Sequence, residues 1–220
     1  MKAVVLLSGG VDSSVLLGKM LSYRDEIALA LSFNYGQIHR KELDCARTIA
    51  EHYHVPWKCM AIANTFEDIN TPLLGVGDIP EEAYDTSPGV PVTYVQNRNM
   101  ILLAIAASQA LNIGADVVAY AAHADDAKIA AYPDCSEEFF DKMNAVLETQ
   151  GVKLFAPFID KNKSSIVAKG LQLGVPFEHT WSCYKGEEEA CGVCGTCRDR
   201  AEAFRVCGAV DPIRYQARRG

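Results

Sequence analysis

Short apolar runs alternate with amphipathic stretches along the first sixty residues of the chain. Residues 3–7 (AVVLL) and 27–33 (IALALSF) are nearly continuous apolar runs of strand length, and residues 55–62 (VPWKCMAI) form a third. Strands buried on both faces of a parallel sheet have this character. The chain between the runs carries apolar side chains at helical spacing, which predicts amphipathic helices. These side chains are Leu17, Met20 and Leu21, then Leu43, Ala46, Ala50 and Tyr53.

The alternation continues in the second half of the chain after an interruption. Residues 63–95 are rich in Gly, Pro, Asp and Thr but keep several large apolar side chains, so we interpret them as a long excursion of the same domain. The nearly all-apolar residues 100–111 predict a helix buried on most faces, and residues 115–122 predict a fourth strand. Residues 136–150 predict an amphipathic helix capped by Asp134 or Ser136. Its apolar face carries Phe139, Met143, Val146 and Leu147.

The last elements complete the prediction of the fold. Residues 152–158 predict a fifth strand, and a helix that ends at Gly174 follows. Strands that alternate with helices predict right-handed crossovers and a doubly wound, mainly parallel, five-stranded α/β sheet. We expect residues 1–175 to form this domain and residues 176–220 to form a C-terminal segment packed on it.

Composition and charge narrow the classes of function. The 220 residues are 49% hydrophobic and carry a net charge of −7, which allows a sizeable core and argues against a broad surface for nucleic acid or anionic membranes. No apolar stretch approaches the roughly 20 residues that span a bilayer, and the first residues do not resemble a secretory signal. We therefore expect a cytoplasmic protein without a broad surface for nucleic acid or membranes.

The stretch LLSGGVDSSVLL (6–17) joins the first predicted strand to the next helix. Gly9 and Gly10 permit a sharp turn and leave room for a phosphate, which the loop amides and the helix N-terminus would face. Asp12 is placed to orient the loop or to help hold Mg²⁺. The alternative is an ordinary turn with Ser13 as the helix cap. Neither the Walker pattern G-x-x-x-x-G-K-S/T nor the dinucleotide pattern G-x-G-x-x-G is present.

The SGGVDS sequence of residues 8–13 resembles the S-G-G-x-D-S PP-loop of the N-type ATP pyrophosphatases. The resemblance implies an adenine nucleotide α-hydrolase-like fold, a loop that holds the pyrophosphate end of ATP, and attack at the α-phosphorus that releases pyrophosphate. It implies that Ser8, Asp12 and Ser13 take part in this chemistry. Adenylation converts a carboxylate or amide oxygen into a good leaving group, and fixed amides with a cation stabilise the departing pyrophosphate. The implied ATP-binding residues are Leu7, Ser8, Gly9, Gly10, Val11, Asp12, Ser13, Ser14, Val15, Leu16 and Leu17.

Four of the eight cysteines have the spacing of metal ligands. They follow the pattern C-x₇-C-x₂-C-x₂-C, with glycines that keep the two C-x-x-C turns tight. Four thiolates suit one tetrahedral structural Zn²⁺, while an iron–sulfur cluster and a redox-active C-x-x-C pair are alternatives. Residues 176–200 show little apolar periodicity, so a metal would help this segment to fold. The predicted ligands are Cys183, Cys191, Cys194 and Cys197.

Four further stretches, with the PP-loop and the cysteines, resemble one family over essentially the whole chain. This family is the 7-cyano-7-deazaguanine synthases of queuosine biosynthesis. The resemblance implies that ATP adenylates 7-carboxy-7-deazaguanine, that ammonia converts the adenylate to an amide, and that a second adenylation converts the amide to a nitrile. It also implies a homodimer. The stretches are FNYGQIHRKEL (33–43), YVQNRNMILLAIA (94–106), YPDCSEEF (132–139) and TWSCYKG with ACGVCGTCRDRAEAF (180–204).

The resemblance also nominates polar residues at predicted strand ends and helix starts, where α/β proteins bind ligands. Arg98 and Lys163 join the loop residues as candidates for the chemistry. The structural alternatives are a β-turn over residues 35–37, a helix cap at Asn97, Asn99 or Asp134, and a structural role for His123. The candidate substrate contacts are Tyr35, Gln37, Arg98, Asn99, His123, Asp125 and Asp134.

Two other functions remain open at this point. Another PP-loop enzyme, such as one that thiolates tRNA with C-x-x-C sulfur, needs an RNA-binding surface that the acidic composition disfavours. A zinc-containing nucleotide sensor without turnover is the second alternative. The complete set of loop hydroxyls and Asp12 favours an enzyme over a sensor.

Overall fold

The apolar runs of the sequence form the strands of one parallel sheet. The computed structural model describes residues 1–81, 90–128, 132–185 and 188–217. In these ranges the strands are β1 (Lys2–Leu6), β2 (Glu26–Asn34), β3 (Trp57–Ala61), β4 (Val117–Ala119) and β5 (Lys153–Phe155). They pair in the order β3-β2-β1-β4-β5, and all four pairs are parallel. The predicted five-stranded parallel sheet is confirmed.

Helices cover both faces of this sheet. Side chains of β1 alternate between two apolar clusters, with Val4 on one face and Val5 on the other. The Val4 cluster contains side chains of α3 and α5, and the Val5 cluster contains side chains of α1, α2, α6 and α7. None of the helices in the described ranges is long and apolar enough to cross a membrane. The helices are α1 (Val11–Ser22), α2 (Lys41–His52), α3 (Arg98–Asn112), α4 (Ala124–Lys128), α5 (Glu137–Glu148), α6 (Lys163–Leu173) and α7 (Gly195–Val206).

The chain changes direction across the sheet between β1 and β4. From β1 it moves outward through β2 and β3, and it then returns to add β4 and β5 on the opposite side. In open α/β sheets the loops beyond the carboxyl ends of the strands separate at such a switch point and leave a crevice. The topology therefore places the glycine loop, which follows β1, at the mouth of this crevice.

Two of the predicted helices pack differently from the expectation. Residues 100–111, predicted to be buried on most faces, leave one stripe of the helix exposed: Leu103 and Ala106 are fully buried, but Met100 is 42% and Leu111 is 50% exposed. Val146 was predicted on the buried face of α5 but is 60% exposed. Apolar content does not determine how far neighbouring elements cover a helix, because burial needs a second element on that side.

The described part of the excursion at 63–95 packs on the sheet. It contains two short 3₁₀ turns, at Ala63–Thr65 and Pro72–Leu74. Phe66, Leu73 and Val95 belong to the apolar cluster on the α3 face and are almost fully buried. Residues 82–89 of the predicted excursion lie outside the described residues.

The C-terminal segment contacts the glycine loop and α6. The amide of Trp181 donates to the carbonyl oxygen of Gly9 over 2.9 Å, and the thiol of Cys207 donates to the carbonyl oxygen of Ser164 in α6 over 3.3 Å. Arg200 of α7 is fully buried and forms two hydrogen bonds to the carboxylate of Asp211. The expected division of the chain at residue 175 stays a prediction.

Candidate active site

A cavity of about 500 Å³ opens beyond the carboxyl ends of β1, β2 and β4. Its wall combines the loop after β1, the loop between β2 and α2, the start of α3 and residues 120–126. The first residues of α6 and one face of α7 close the remaining side. The C-terminal segment therefore forms part of the same cavity as the glycine loop.

Gly9 is required by the packing of the loop against α2. Its φ is +86°, and a Cβ atom there would lie 2.0 Å from the carbonyl oxygen of Glu42. Gly10 has an extended backbone and is the N-cap of α1, without a side chain that caps the helix. The first amides of α1 thus remain available to an anion, which is how helix N-termini bind phosphate.

The loop serines divide into two groups. Ser8 and Ser13 line the cavity, and their hydroxyl oxygens lie 3.0 Å apart. The backbone amide of Ser8 also donates to the Ser13 hydroxyl over 3.2 Å. Ser14 is fully buried and donates to the carbonyl oxygen of Gly10 over 2.8 Å, so it shapes the loop. The remaining predicted ATP-binding residues Val15, Leu16 and Leu17 are fully buried core residues of α1.

Asp12, Lys163 and His123 form a charged cluster beside the loop. Oδ2 of Asp12 accepts a hydrogen bond from Nζ of Lys163 over 2.5 Å and lies 3.8 Å from Nε2 of His123. Burial would raise the pKa of Asp12, but the charges of Lys163 and His123 outweigh this effect and the pKa is lowered. Oδ1 of Asp12 is buried without a hydrogen-bond partner among the described residues. One carboxylate oxygen is therefore left for a ligand or a cation.

Three more carboxylates border this cluster. Asp125 accepts a hydrogen bond from the backbone amide of Lys163 over 2.7 Å, at the start of α6. Asp126 lies 3.3 Å from Nε2 of His123, and burial raises its pKa. Burial also raises the pKa of Asp199, from α7, to about 6. All three line the cavity, which gives its loop end an acidic rim suited to a cation.

Arg98 begins α3 in the part of the cavity that is rich in aromatic side chains. Its Nη1 donates to the hydroxyl of Tyr35 over 3.1 Å, and no carboxylate of the described chain lies within ion-pair distance. Burial raises the pKa of Tyr35 to about 12, so it remains a neutral phenol. An unpaired guanidinium among aromatic rings suits a planar anion. The rings that line the cavity here are Phe33, Tyr35, His39, Tyr120, Tyr132, Trp181 and Tyr184.

Two predicted substrate contacts lie behind the cavity wall. Gln37 is fully buried; its Nε2 donates to the carbonyl oxygen of Phe33, and its Oε1 accepts from the amide of Tyr35. Asp134 accepts from the backbone amide of Asn99 over 3.0 Å and thereby caps the first turn of α3. Asn99 itself lines the cavity. The roles of these residues toward a substrate stay predictions.

The structure adds residues that sequence reasoning missed. His39, Tyr120 and Asp199 line the cavity and were not among the predicted contacts. His39 directly follows the YGQI stretch of the quoted motif, which was the available signal for it. Tyr120 lies at the end of β4, while Asp199 lies on α7, whose approach to the loop depends on tertiary packing.

The four predicted metal ligands converge at the start of α7. The sulfur atoms of Cys183, Cys191, Cys194 and Cys197 all lie within 4.8 Å of one another, and those of Cys191 and Cys197 are 3.9 Å apart. A tetrahedral ion with Zn–S bonds of about 2.3 Å separates its sulfurs by about 3.8 Å. The geometry fits a single ion, because the sulfurs that hold a four-iron cluster must enclose a larger body.

Comparison with known proteins places the chain in one group. The family model described as queuosine biosynthesis protein QueC matches residues 2–208. A 7-cyano-7-deazaguanine synthase from Caldicellulosiruptor bescii is 44% identical over 221 residues, which cover 98% of this chain and 98% of that protein. A protein of the same name from Archaeoglobus fulgidus is 44% identical over 218 residues, covering 97% of this chain and 90% of the other.

Solved structures of other proteins share the fold at low sequence identity. NMN synthetase from Francisella tularensis superposes with a TM-score of 0.52 and 15% identity, covering 94% of this chain and 77% of that one. The tRNA thiolase NcsA from Methanococcus maripaludis, described with its 4Fe–4S cluster, superposes with a TM-score of 0.53 and 18% identity. This match covers 94% of this chain and 65% of that one. At these identities the likeness shows the PP-loop ATPase-like fold alone.

Proposed function

Because the chain belongs to the family of queuosine biosynthesis protein QueC, we propose that it is a 7-cyano-7-deazaguanine synthase. It converts 7-carboxy-7-deazaguanine and ammonia into 7-cyano-7-deazaguanine and consumes ATP. Adenylation of the carboxylate, and later of the amide oxygen, releases pyrophosphate, and AMP leaves when the activated C–O bond breaks in each round.

One observation carries the proposal: the phosphate loop and an unpaired guanidinium open into the same cavity. Ser8, Asp12 and Ser13 line one end, and Arg98 lines the other among aromatic rings. An adenylating enzyme must bring the α-phosphorus of ATP to a carboxylate oxygen, so it needs both kinds of site in contact. The rings provide flat apolar surfaces for a planar bicyclic substrate.

The charged cluster at the loop supports a role for Mg²⁺ with ATP. The free Oδ1 of Asp12 and the buried carboxylate of Asp126 are the oxygen donors that Mg²⁺ prefers. In the described chain only the cysteines form a group of three or more metal donors, so phosphate oxygens must complete the coordination. The ion would neutralise charge on the departing pyrophosphate, while Lys163 holds Asp12 ionised.

The cysteine cluster supports one structural Zn²⁺. Four thiolates leave no open position for catalysis, and Cys183, Cys194 and Cys197 are almost completely buried. The ion would connect the start of α7 to residues 181–183. This connection holds Trp181 and Asp199 in the wall of the cavity.

We also propose that the protein is a cytoplasmic homodimer that binds no nucleic acid. None of the eight cysteines, all of which lie in the described residues, is in a disulfide, as suits a reducing compartment, and the net charge is −7. Met100 and Leu111 of α3 leave apolar side chains exposed that a second copy would cover. Sedimentation velocity of Leu111→Glu against wild type tests the dimer, since a charge at the interface should produce monomers.

The function is tested by one assay with mass detection. Protein, ATP, Mg²⁺, ammonium and 7-carboxy-7-deazaguanine are incubated, and AMP, pyrophosphate and the organic product are followed. We expect the nitrile with AMP, and no turnover in Asp12→Asn with unchanged zinc content. ADP as product, or no reaction of folded wild-type protein, would contradict the proposal. A thiolated tRNA in a parallel incubation with a sulfur donor would support the tRNA-modifying alternative.

A further inference from the structure

His39 is a buried histidine at the cavity whose Nδ1 makes no hydrogen bond within the described part of the chain. It lies between β2 and α2, its side chain is 3% exposed, and its ring lines the cavity. Nε2 lies 3.5 Å from Oε1 of Glu42, which places the proton of the neutral ring on Nε2 and the lone pair on Nδ1. Nδ1 has no hydrogen-bond partner among the described residues. A buried acceptor without a donor costs free energy, so we expect a ligand group to meet it.

Three hydrogen bonds and one ion-pair contact connect His39 to the guanidinium of Arg98. Arg98 donates to the Tyr35 hydroxyl over 3.1 Å, and the Tyr35 amide donates to Oε1 of Gln37 over 2.9 Å. Nε2 of Gln37 donates to Oε1 of Glu42 over 3.0 Å, and the same oxygen faces Nε2 of His39. Gln37 therefore acts from behind the wall, where it fixes the positions of Tyr35 and Glu42.

The surroundings of His39 keep its ring neutral and fixed in orientation. Burial lowers the pKa of His39; Glu42 and Cys194 oppose this shift, and Arg98 adds to it. The ring of Tyr184 packs against the imidazole with centroids 4.9 Å apart. A neutral imidazole held by a carboxylate on one nitrogen is the usual form of a proton acceptor in enzymes.

We propose that Nδ1 of His39 accepts the protons that the substrate nitrogen loses in both rounds of the reaction. This inference rests on the proposed function. If Arg98 binds the carboxylate, the reacting carbon lies next to the residues that position His39. One base serves both rounds, because the nitrogen that loses protons is bound to the same carbon each time.

The bonds and protons balance as follows. In the first round the lone pair of ammonia forms a C–N bond, the C–O bond to AMP breaks, and AMP leaves with the electron pair. One proton passes from nitrogen to Nδ1. In the second round the amide oxygen displaces pyrophosphate from ATP, and the C–O bond again breaks with AMP as the leaving group. The nitrogen loses its two protons in turn, and the C≡N bond forms. Nδ1 releases each proton to water in the cavity before it accepts the next.

The test compares His39→Asn and His39→Phe with wild type, step by step. Asn retains a hydrogen-bond acceptor near the Nδ1 position but does not take up a proton, and Phe retains only a ring. Carboxylate-dependent exchange of pyrophosphate into ATP reports adenylation. Amide formation with ammonia, and nitrile formation from supplied amide, report the two steps that lose protons. Hydroxylamine, a weaker base whose adduct gives up its proton readily to water, replaces ammonia in a fourth assay.

We expect both variants to retain exchange and hydroxamate formation, and to lose amide and nitrile formation by about 100-fold or more. The control His52→Asn, an exposed histidine at the end of α2, should match wild type in every assay.

Two results would overturn the inference while the function stands. Wild-type rates in His39→Asn would show that Nδ1 is only a hydrogen-bond acceptor. An equal loss of exchange and of all later steps would show that His39 only positions its neighbours. If the wild-type protein itself forms no adenylate from 7-carboxy-7-deazaguanine, the proposed function fails and the inference fails with it.

Discussion

At Gly9 a neighbouring helix requires glycine in addition to the sharp turn of the loop. The positive φ alone disfavours a side chain, but the carbonyl oxygen of Glu42 would also overlap a Cβ atom at 2.0 Å. Gly151 separates the two effects, because its φ is +83° and nothing lies within 4 Å of a Cβ atom there. The difference in stability between the alanine variants at the two positions therefore measures the cost of the overlap with Glu42.

We predict that Gly151→Ala lowers the free energy of unfolding by about 1–2 kcal/mol, the cost of the left-handed backbone alone. Gly9→Ala should cost several kcal/mol because the loop must also move away from α2. Urea denaturation of both variants checks this difference. Equal losses would mean that the contact with Glu42 is relieved without cost.

Asp12 links stability to pH through its lowered pKa. A carboxyl whose pKa is lower in the folded state stabilises the fold above its ordinary value of 3.8, and this contribution is lost as the pH falls through the folded pKa. Asp12→Asn removes the charge without changing the size of the side chain. We expect wild type to be more stable than this variant at neutral pH, and the difference to close below pH 3.8.

Urea unfolding of wild type and Asp12→Asn across this range measures the effect. The control is Asp44→Asn, since that side chain is 78% exposed on α2 and its partner Arg47 lies 3.9 Å away. Its substitution should change stability little at any pH. If the difference in stability between wild type and Asp12→Asn did not change with pH, the ion pair of Asp12 would not be its source.

At the scale of elements, one buried arginine joins α7 to the chain before and after it within the C-terminal segment. Arg200 is fully buried, bonds the carboxylate of Asp211 twice, and donates to the hydroxyl of Thr180 over 2.8 Å. Arg205, on the same helix, bonds Glu202 in the same two-pronged manner but is 73% exposed. The two pairs share their chemistry and differ in contact with water.

We predict that Arg200→Met lowers the free energy of unfolding by about 3–5 kcal/mol, because it leaves the buried carboxylate of Asp211 without its cationic partner. Arg205→Met should change it by less than about 1 kcal/mol, since water replaces the lost bonds. Chemical denaturation of the two variants provides the measurement. Similar losses of stability in both variants would show that burial does not determine the contribution of these ion pairs.

At the scale of the whole molecule, the cysteine cluster connects the chain end to the active-site wall. Cys197 is two residues before Asp199, and Cys183 is two residues after Trp181, and both of these neighbours line the cavity. Loss of the metal should therefore disturb the nucleotide site as well as stability. Structural Zn²⁺ contributes on the order of 10 kcal/mol to folding in small domains.

We predict that Cys194→Ser loses Zn²⁺, melts at a lower temperature and binds ATP more weakly. Cys59→Ser, on β3 and outside the cluster, should retain one zinc per chain and normal ATP binding. Metal analysis, thermal unfolding and ATP titration check the pair. A metal-free Cys194→Ser protein with normal stability would rule out a structural role for the ion.

The order of elements, the glycine loop and the four ligands were predictable because each depends on residues close in sequence. Apolar runs set the strands, the spacing of Cys191, Cys194 and Cys197 set the tight turns, and Gly174 ended α6 as expected. Local spacing is a property of the chain itself, and packing did not have to be known.

Only the tertiary structure decided which polar side chains face the cavity. Gln37 and Asp134 stood in the predicted motifs but bond to backbone amides behind the wall, while His39 and Asp199 line the cavity. The exposure of Val146 was decided in the same way. Burial and direction depend on which distant segments approach a residue, and neighbouring sequence carries no record of that approach.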